Sequence, residues 1–343
     1  MLTLDPALVA RGRTAAAGVA DGDLDLALDL ALDVGHNLPT PPADLRCRYD
    51  ALASLGAADL TVARVAEPHL DALAILAEAG DPVPDAAAST WGVFAAHAPD
   101  AHLTASPGRD GWTLTGTKRW CSLATRLDRA VITAHTSPST TRAFALDLRG
   151  PGVRHEETPW VARGLTGVRT GSLELSAAPV HPVGDDGWYL ARPGFAVGGV
   201  GVAAVWFGAA RALVDALIRS THRREPDQVA LVHLGEVDRL LWSADLALTR
   251  AADDLEGGDR GHRSHPGHPA ESPPLLAART RAVVADAAEE VLRRVGRALG
   301  PAPLTHDEEH ARRVADLTVY LRQHHAERDL ARLGELVRAE GPR

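Results

Sequence analysis

The chain has 343 residues, 45% hydrophobic and 24% charged, an average globular composition that excludes a disordered or fibrous protein and leaves room for two or three packed units. Its formal charge of −9 provides no overall basic field to hold nucleic acid or an anionic membrane, so a small-molecule partner is expected. Cys47 and Cys121 lie far apart with no C-x-x-C pattern, and the start MLTLDPALVARGR has no apolar run of signal-peptide length, so the expected compartment is the cytoplasm.

The pattern DLDLALDLALDV places Leu24, Leu28 and Leu32 on one stripe and predicts a helix over 23–34. After the turn-rich HNLPTPP, the apolar positions Leu52, Leu55, Ala63, Leu70, Leu73 and Ala74 predict a second helical region over 48–80, giving an N-terminal helical domain over 1–85. The Pro-marked DPVPDAAAST then changes the composition. Short runs at 91–95, 102–105, 112–118, 129–136, 141–147, 153–157 and 172–180 predict strands of a small barrel or sandwich, a middle β domain over 86–192. Beyond it, 195–222, 229–255, 275–299 and 308–337 predict four long helices, a C-terminal bundle over 193–343. The fold class is therefore α+β and multidomain.

Residues 193–210 carry no charge and approach the length of a membrane span, but their five glycines, Gly194, Gly198, Gly199, Gly201 and Gly208, favour a buried helix start. Basic residues are almost all arginine, and Lys118 is the only lysine. The loop GGDRGHRSHPGHPAESPP reads as an exposed linker that would not hold His262, His265 and His268 in fixed tetrahedral geometry, so no metal site is expected.

The most informative segment is 111–124, GWTLTGTKRWCSLA, in the middle of the β domain. Taken alone it is a hairpin strand turning at Gly116. Together with the helical, β, helical order it resembles the acyl-CoA dehydrogenase family, whose middle domain carries G-x-x-L-x-G-x-K-x-W-[IC]-[ST]. The resemblance covers nearly the whole chain. It implies that Trp120 packs on a flavin ring and that Ser122 offers a hydroxyl and backbone groups to the flavin N5–O4 edge, with Cys121 between them. The chemistry suits those types, because an isoalloxazine needs an apolar wall on one face and a hydrogen-bond donor where charge accumulates on reduction.

Other correspondences follow in chain order. Val93 and Phe94 fall where the family lays strand backbone along the flavin pyrimidine, although FAAHAPDA replaces the usual T-E-P-x-x-G-S-D. The stretch GLTGVRTGS resembles L-G-x-R-x-[ST], with Arg169 in a structural part. Arg224 matches the arginine that reaches the diphosphate of FAD on a neighbouring subunit, and its guanidinium suits a pyrophosphate. Asp227 and Gln228 replace the expected aromatic-glycine pair, and RALGPAP replaces Q-x-x-G-G-x-G, with Gly300 kept and Arg297 in place of the glutamine as a charge partner for phosphate. The implied cofactor is FAD, and a cofactor spanning a subunit boundary implies a homodimer or homotetramer.

Family dehydrogenation needs a base opposite the flavin to take the proton α to a thioester. When DLTVYLRQHHAERDL is laid on the family's Y-E-G-T segment, Asp316 and Tyr320 match and the glutamate position holds His324. The alternative glutamate of some members, on the first bundle helix, is absent from 194–214. His324 continues the stripe of Leu317 and Leu321, which points it inward, with Glu327 three residues on to orient it; it is either the base or a satisfied core histidine. His325 and Asp329 form an i,i+4 pair on another face, and His69 sits polar on an apolar helix that can border a substrate pocket. Three readings follow: FAD-dependent α,β-dehydrogenation of an acyl thioester such as acyl-CoA, with an electron acceptor the residues do not identify; flavin-dependent monooxygenation on the same fold; or a catalytically silent homologue.

Overall fold

The computed structural model describes residues 1–80, 83–109, 111–223, 225–257 and 271–341. The N-terminal helices are α1 (Pro6–Ala16), α2 (Asp25–Asn37), α3 (Leu45–Ala58) and α4 (Leu60–Ala79). Asp5 starts α1 by accepting the Ala7 N–H at 2.8 Å, with Pro6 in the first helical position, where its missing N–H costs nothing. The helical region expected over 48–80 is two helices, divided at Asp59. That residue leaves the helix at φ −160°, and its carboxylate accepts the N–H groups of Thr61 (2.8 Å) and Val62 (3.1 Å), which makes it the N-cap of α4.

Seven strands follow, one at each expected position: β1 (Trp91–Phe94), β2 (Leu103–Gly108), β3 (Gly111–Ser122), β4 (Arg129–Ser137), β5 (Thr140–Asp147), β6 (Val153–Glu156) and β7 (Thr170–Val183). β4 pairs antiparallel with β5 and touches β2 through Thr104 opposite His135, so the path β4-β2-β3-β7-β5 returns to β4 and closes a barrel. β1 adds in parallel to β4, and β6 adds antiparallel to β7.

The C-terminal part comprises a short α5 (Trp188–Ala191), then α6 (Gly194–Arg223), α7 (Gln228–Gly257), α8 (Pro273–Leu299), α9 (Ala302–His306), α10 (Glu308–Tyr320) and α11 (Glu327–Glu340). α6 is long and apolar enough to cross a membrane, but 72% of its apolar window is buried inside the protein. Close packing of α6 on α3 takes a glycine from each: a Cβ at Gly208 of α6 would overlap the Ala53 carbonyl, and one at Gly56 of α3 the Val205 carbonyl. The fourth helix expected over 308–337 is interrupted. A 3₁₀ turn at Leu321–Gln323 and a left-handed Ala326 (φ +48°) separate α10 from α11, so His324 lies in a connection and does not continue the helical stripe.

Two contacts fasten the bundle to the barrel. The Asp316 carboxylate accepts the Leu165 N–H at 2.5 Å, and Gly164 lies so close to α10 that a Cβ would overlap the Ala315 carbonyl. The loop before β7 is thereby held by the helix that leads to His324.

Candidate functional site

β3 reaches its C-terminal end through an irregularity: its pairing with β7 shifts register between Lys118 and Cys121. Trp120 occupies that bulge at φ +63° and Leu123 follows at φ +59°. Two bulky residues in the left-handed region within four positions are costly, and such conformations persist where the surroundings enforce them. The enforcing contacts are plain. The Leu123 N–H donates to the Arg169 carbonyl at 2.8 Å, the Cys121 thiol donates to the Lys118 carbonyl at 3.3 Å, and the Ser122 and Thr170 hydroxyls share a 2.9 Å hydrogen bond. The outcome is a large indole left 59% exposed beside a fixed hydroxyl.

Thr170 can also donate to the Val168 carbonyl at 3.3 Å. Its one proton therefore has two acceptors, and when it goes to Ser122 the serine proton is free to point at a ligand. Cys121, between the two, is buried, and burial pushes its thiol up to about 12, so it is an inert packing group whose backbone alone is offered to the site. A cavity of about 360 Å³ opens beside the bulge, lined among others by Cys121, Thr125, Trp160, Arg169 and Thr170. β1 lies against β3, which brings Val93 and buried Phe94 to the neighbourhood of the bulge. An exposed aromatic face, a hydroxyl with a releasable proton and adjacent strand backbone are the donor set that a planar, edge-polar ring requires.

His324 is 8% exposed, and its Nε2 has no hydrogen-bond partner. Its ring meets Trp206 edge-on at 6.5 Å. Arg281 lies over Trp206 at 4.9 Å and donates to the carbonyls of Gly199 (2.8 Å) and Gln323 (3.2 Å), which fixes the turn that carries His324. Burial pushes the His324 imidazole below its ordinary value, against an opposing pull from Asp329, so its neutral form prevails at pH 7. Asp329, whose carboxylate is 3.9 Å from Nε2, takes the place expected for Glu327, because the break at Ala326 restarts the helix and brings its first turn to the ring. The same carboxylate meets exposed His325 at 3.4 Å.

Other expected residues fall elsewhere. His69 is wedged against α2, where a Cβ on Gly35 would lie 2.7 Å from its Nε2; burial drives its pKa down to about 4, and it is a neutral packing group of the helical domain. Gly300 ends α8 at φ +67°, a conformation that by itself calls for glycine. Arg297 is exposed, sixteen positions beyond Arg281 and therefore about 24 Å farther along α8. Asp227 caps α7 by accepting the Ala230 N–H at 2.8 Å. Arg224 and the histidines 262, 265 and 268 lie outside the described residues.

One group escaped sequence reasoning. Glu67 on α4 is buried, paired with Arg64, and accepts the Tyr320 hydroxyl at 3.1 Å, while Arg64 lies 5.1 Å over the Tyr320 ring. Desolvation raises the Glu67 carboxyl despite these partners. The signal was an i,i+3 pair of opposite charges on an otherwise apolar helix.

No protein-family model matches the chain, and no curated protein does. Among solved structures it is similar to butyryl-CoA dehydrogenase from Megasphaera elsdenii, at 17% identity over 98% of this chain and 99% of that one, with a TM-score of 0.79. It is also similar to KijD3 in complex with FMN and dTDP-3-amino-2,3,6-trideoxy-4-keto-3-methyl-D-glucose, at 22% identity over 98% and 92%, with a TM-score of 0.79. TdsC from Paenibacillus sp. A11-2, in complex with FMN and indole, matches at 17% identity over 96% and 94%, with a TM-score of 0.78. At these identities the likeness establishes the fold.

Proposed function

We propose that this protein, which has the acyl-CoA dehydrogenase fold, is a flavin-dependent oxidoreductase that works as an oxygenase on a substrate held near His324. Trp120 and Ser122 hold the isoalloxazine, with the backbone of Val93 and Phe94 beside it. Bound in reduced form, the flavin would supply electrons to dioxygen.

The observation that carries this reading is the orphaned, neutral imidazole of His324, the residue that the resemblance aligns with the family's carboxylate base. A general base works best with a pKa near the working pH, and burial takes His324 the wrong way for removing a carbon acid's proton. Glu67, a buried carboxylate, is already engaged by Arg64 and Tyr320. A neutral imidazole suits milder chemistry, in which its Nε2 accepts a proton from, or donates one to, an oxygen or nitrogen of the substrate. The FMN complexes of KijD3 and TdsC hold an amino sugar nucleotide and indole, so the fold accommodates ligands that are not thioesters.

A second reading, dehydrogenation of an acyl thioester with His324 as base, draws support from Asp329, which at 3.9 Å would stabilise the imidazolium. Oxygen uptake by the protein supplied with reduced flavin, set against acyl-CoA oxidation with an artificial electron acceptor, separates the two. Uptake coupled to an oxygenated product supports the oxygenase. Acyl-CoA turnover without oxygen would replace it, and a protein that remains colourless after incubation with FMN and FAD would remove both.

FAD is the cofactor the resemblance implies, and FMN would satisfy the bulge equally, since the bulge offers its contacts to the ring. The separation of Arg297 from the His324 turn means that a single chain does not gather both ends of an FAD there. A homodimer or homotetramer that shares the cofactor is part of this proposal.

A further inference from the structure

Lys118, the only lysine in the chain, is not on the surface, where a lysine would ordinarily lie. It is 8% exposed, and its ammonium donates to the Thr133 carbonyl at 2.8 Å and the Thr133 hydroxyl at 2.9 Å. These two neutral acceptors solvate the charge without balancing it. Among the described residues no carboxylate pairs with Lys118. The Cys121 thiol acts on the ammonium electrostatically, but burial keeps that thiol protonated. Desolvation lowers the Lys118 pKa to about 8, which leaves the side chain mostly charged at pH 7.

A buried cation without a counter-ion is expensive unless something completes the site. Lys118 borders a cavity of about 240 Å³, also lined by His97, His135, Thr141 and Tyr189. His135 stacks on His102 at 4.8 Å and meets His97 edge-on at 6.3 Å, and its Nδ1 is buried with no partner. The neighbouring cation, Arg119, already faces Asp100 at 2.9 Å, so that carboxylate is engaged elsewhere. Tyr189 also lines the cavity, but its hydroxyl, held protonated by burial, is engaged by Arg192. Among the described residues the cavity thus presents an ammonium, an imidazole nitrogen without a partner and threonine hydroxyls, and no carboxylate lines it.

We infer that this cavity is an oxyanion site, in which a carboxylate or phosphate group completes the coordination of Lys118 with His135 and His97 beside it. The inference stands on β-domain residues alone and is independent of where the flavin lies. Oxyanion and ammonium form a charge-assisted hydrogen bond, and the imidazoles add donors at a size that admits the anionic group with a short tail.

Because the chain has one lysine, protein labelled with ¹³Cε-lysine gives a single resonance that reports this site. The test is to titrate the whole protein with inorganic phosphate, and separately with butyrate, at constant ionic strength. A saturable shift of that resonance is expected, with the Lys118 pKa raised by about one unit, a tenfold change in proton affinity. Saturation by phosphate alone assigns a phosphate group, and saturation by butyrate alone assigns a carboxylate; either supports the site. A resonance that neither anion moves, in folded protein, overturns it. Lys118→Met should abolish phosphate or butyrate binding by calorimetry, and His135→Phe should weaken it several-fold. Should Lys118→Met fail to fold, the titration of the unaltered chain decides the matter.

Discussion

Asp316 joins the bundle to the barrel with one buried carboxylate, and replacing it separates two contributions that act in opposite directions. It is 2% exposed, accepts the Leu165 N–H at 2.5 Å, and is raised by desolvation from 3.8 to about 6. A carboxyl whose folded pKa lies above its unfolded value binds more protons in the folded state between those pH values, so stability falls as pH rises through that window. Two pKa units correspond to about 3 kcal/mol, lost between pH 4 and 6 and absent at higher pH. Asp316→Asn keeps an oxygen for Leu165 and removes the charge. It should match the parent at pH 4 and exceed it at pH 7.5, by up to about 3 kcal/mol less the weakening of a charge-assisted bond. Asp316→Ala leaves the Leu165 N–H unpaired and should cost about 1–3 kcal/mol when compared at pH 4, where the carboxyl is neutral. Urea unfolding followed by tryptophan fluorescence across pH 4–8 reads both variants. An Asn variant whose stability deficit against the parent grows as pH rises would refute the reasoning, since it would mean that Arg312 and Arg313 stabilise the carboxylate more than burial penalises it.

Gly208→Ala should destabilise the protein by about 1–3 kcal/mol, because α6 must move away from the Ala53 backbone; an unchanged melting temperature would contradict the close approach of α3 and α6. His324→Gln should keep the flavin colour and lower turnover by about a hundredfold or more. With the unaltered chain, activity should fall on the acid side with a midpoint below the ordinary imidazole value, because burial favours the neutral ring, and this limb should vanish in the variant. Tyr320→Phe removes the hydroxyl from Glu67, leaves Arg64 in place, and should cost about 1–3 kcal/mol of stability; a loss of activity with no loss of stability would instead put the tyrosine in the chemistry.

The strands were legible because Gly and Pro punctuate them and each alternates over a short run. Barrel or sandwich stayed open in the sequence because closure depends on β4 meeting both β5 and β2, pairings that no local pattern encodes. The break at Asp59 carried a signal, an acid directly before Leu60–Thr61, yet apolar spacing runs across it without interruption. The break after Tyr320 carried none: Ala326 adopts φ +48° although alanine favours helix, so the inward direction of His324 comes from packing on Trp206 and Arg281, not from periodicity. The Trp120–Ser122 segment was readable as a motif, but the strain that presents its indole arises from hydrogen bonds to residues 169 and 170, nearly fifty positions away. Buried charges such as Glu67 and Lys118 were hidden because sequence alone does not reveal which polar face is covered.

The most direct measurement is flavin affinity of the unaltered chain, Trp120→Ala and Ser122→Ala, read from flavin fluorescence and the visible spectrum on titration with FMN and with FAD. A flavin near the indole and hydroxyl of the bulge should have its fluorescence quenched in the unaltered chain, and each substitution should weaken binding at least about tenfold, or about 1.4 kcal/mol, with helical content unchanged. Equal affinity and equal quenching in all three proteins would place the cofactor elsewhere and contradict the site.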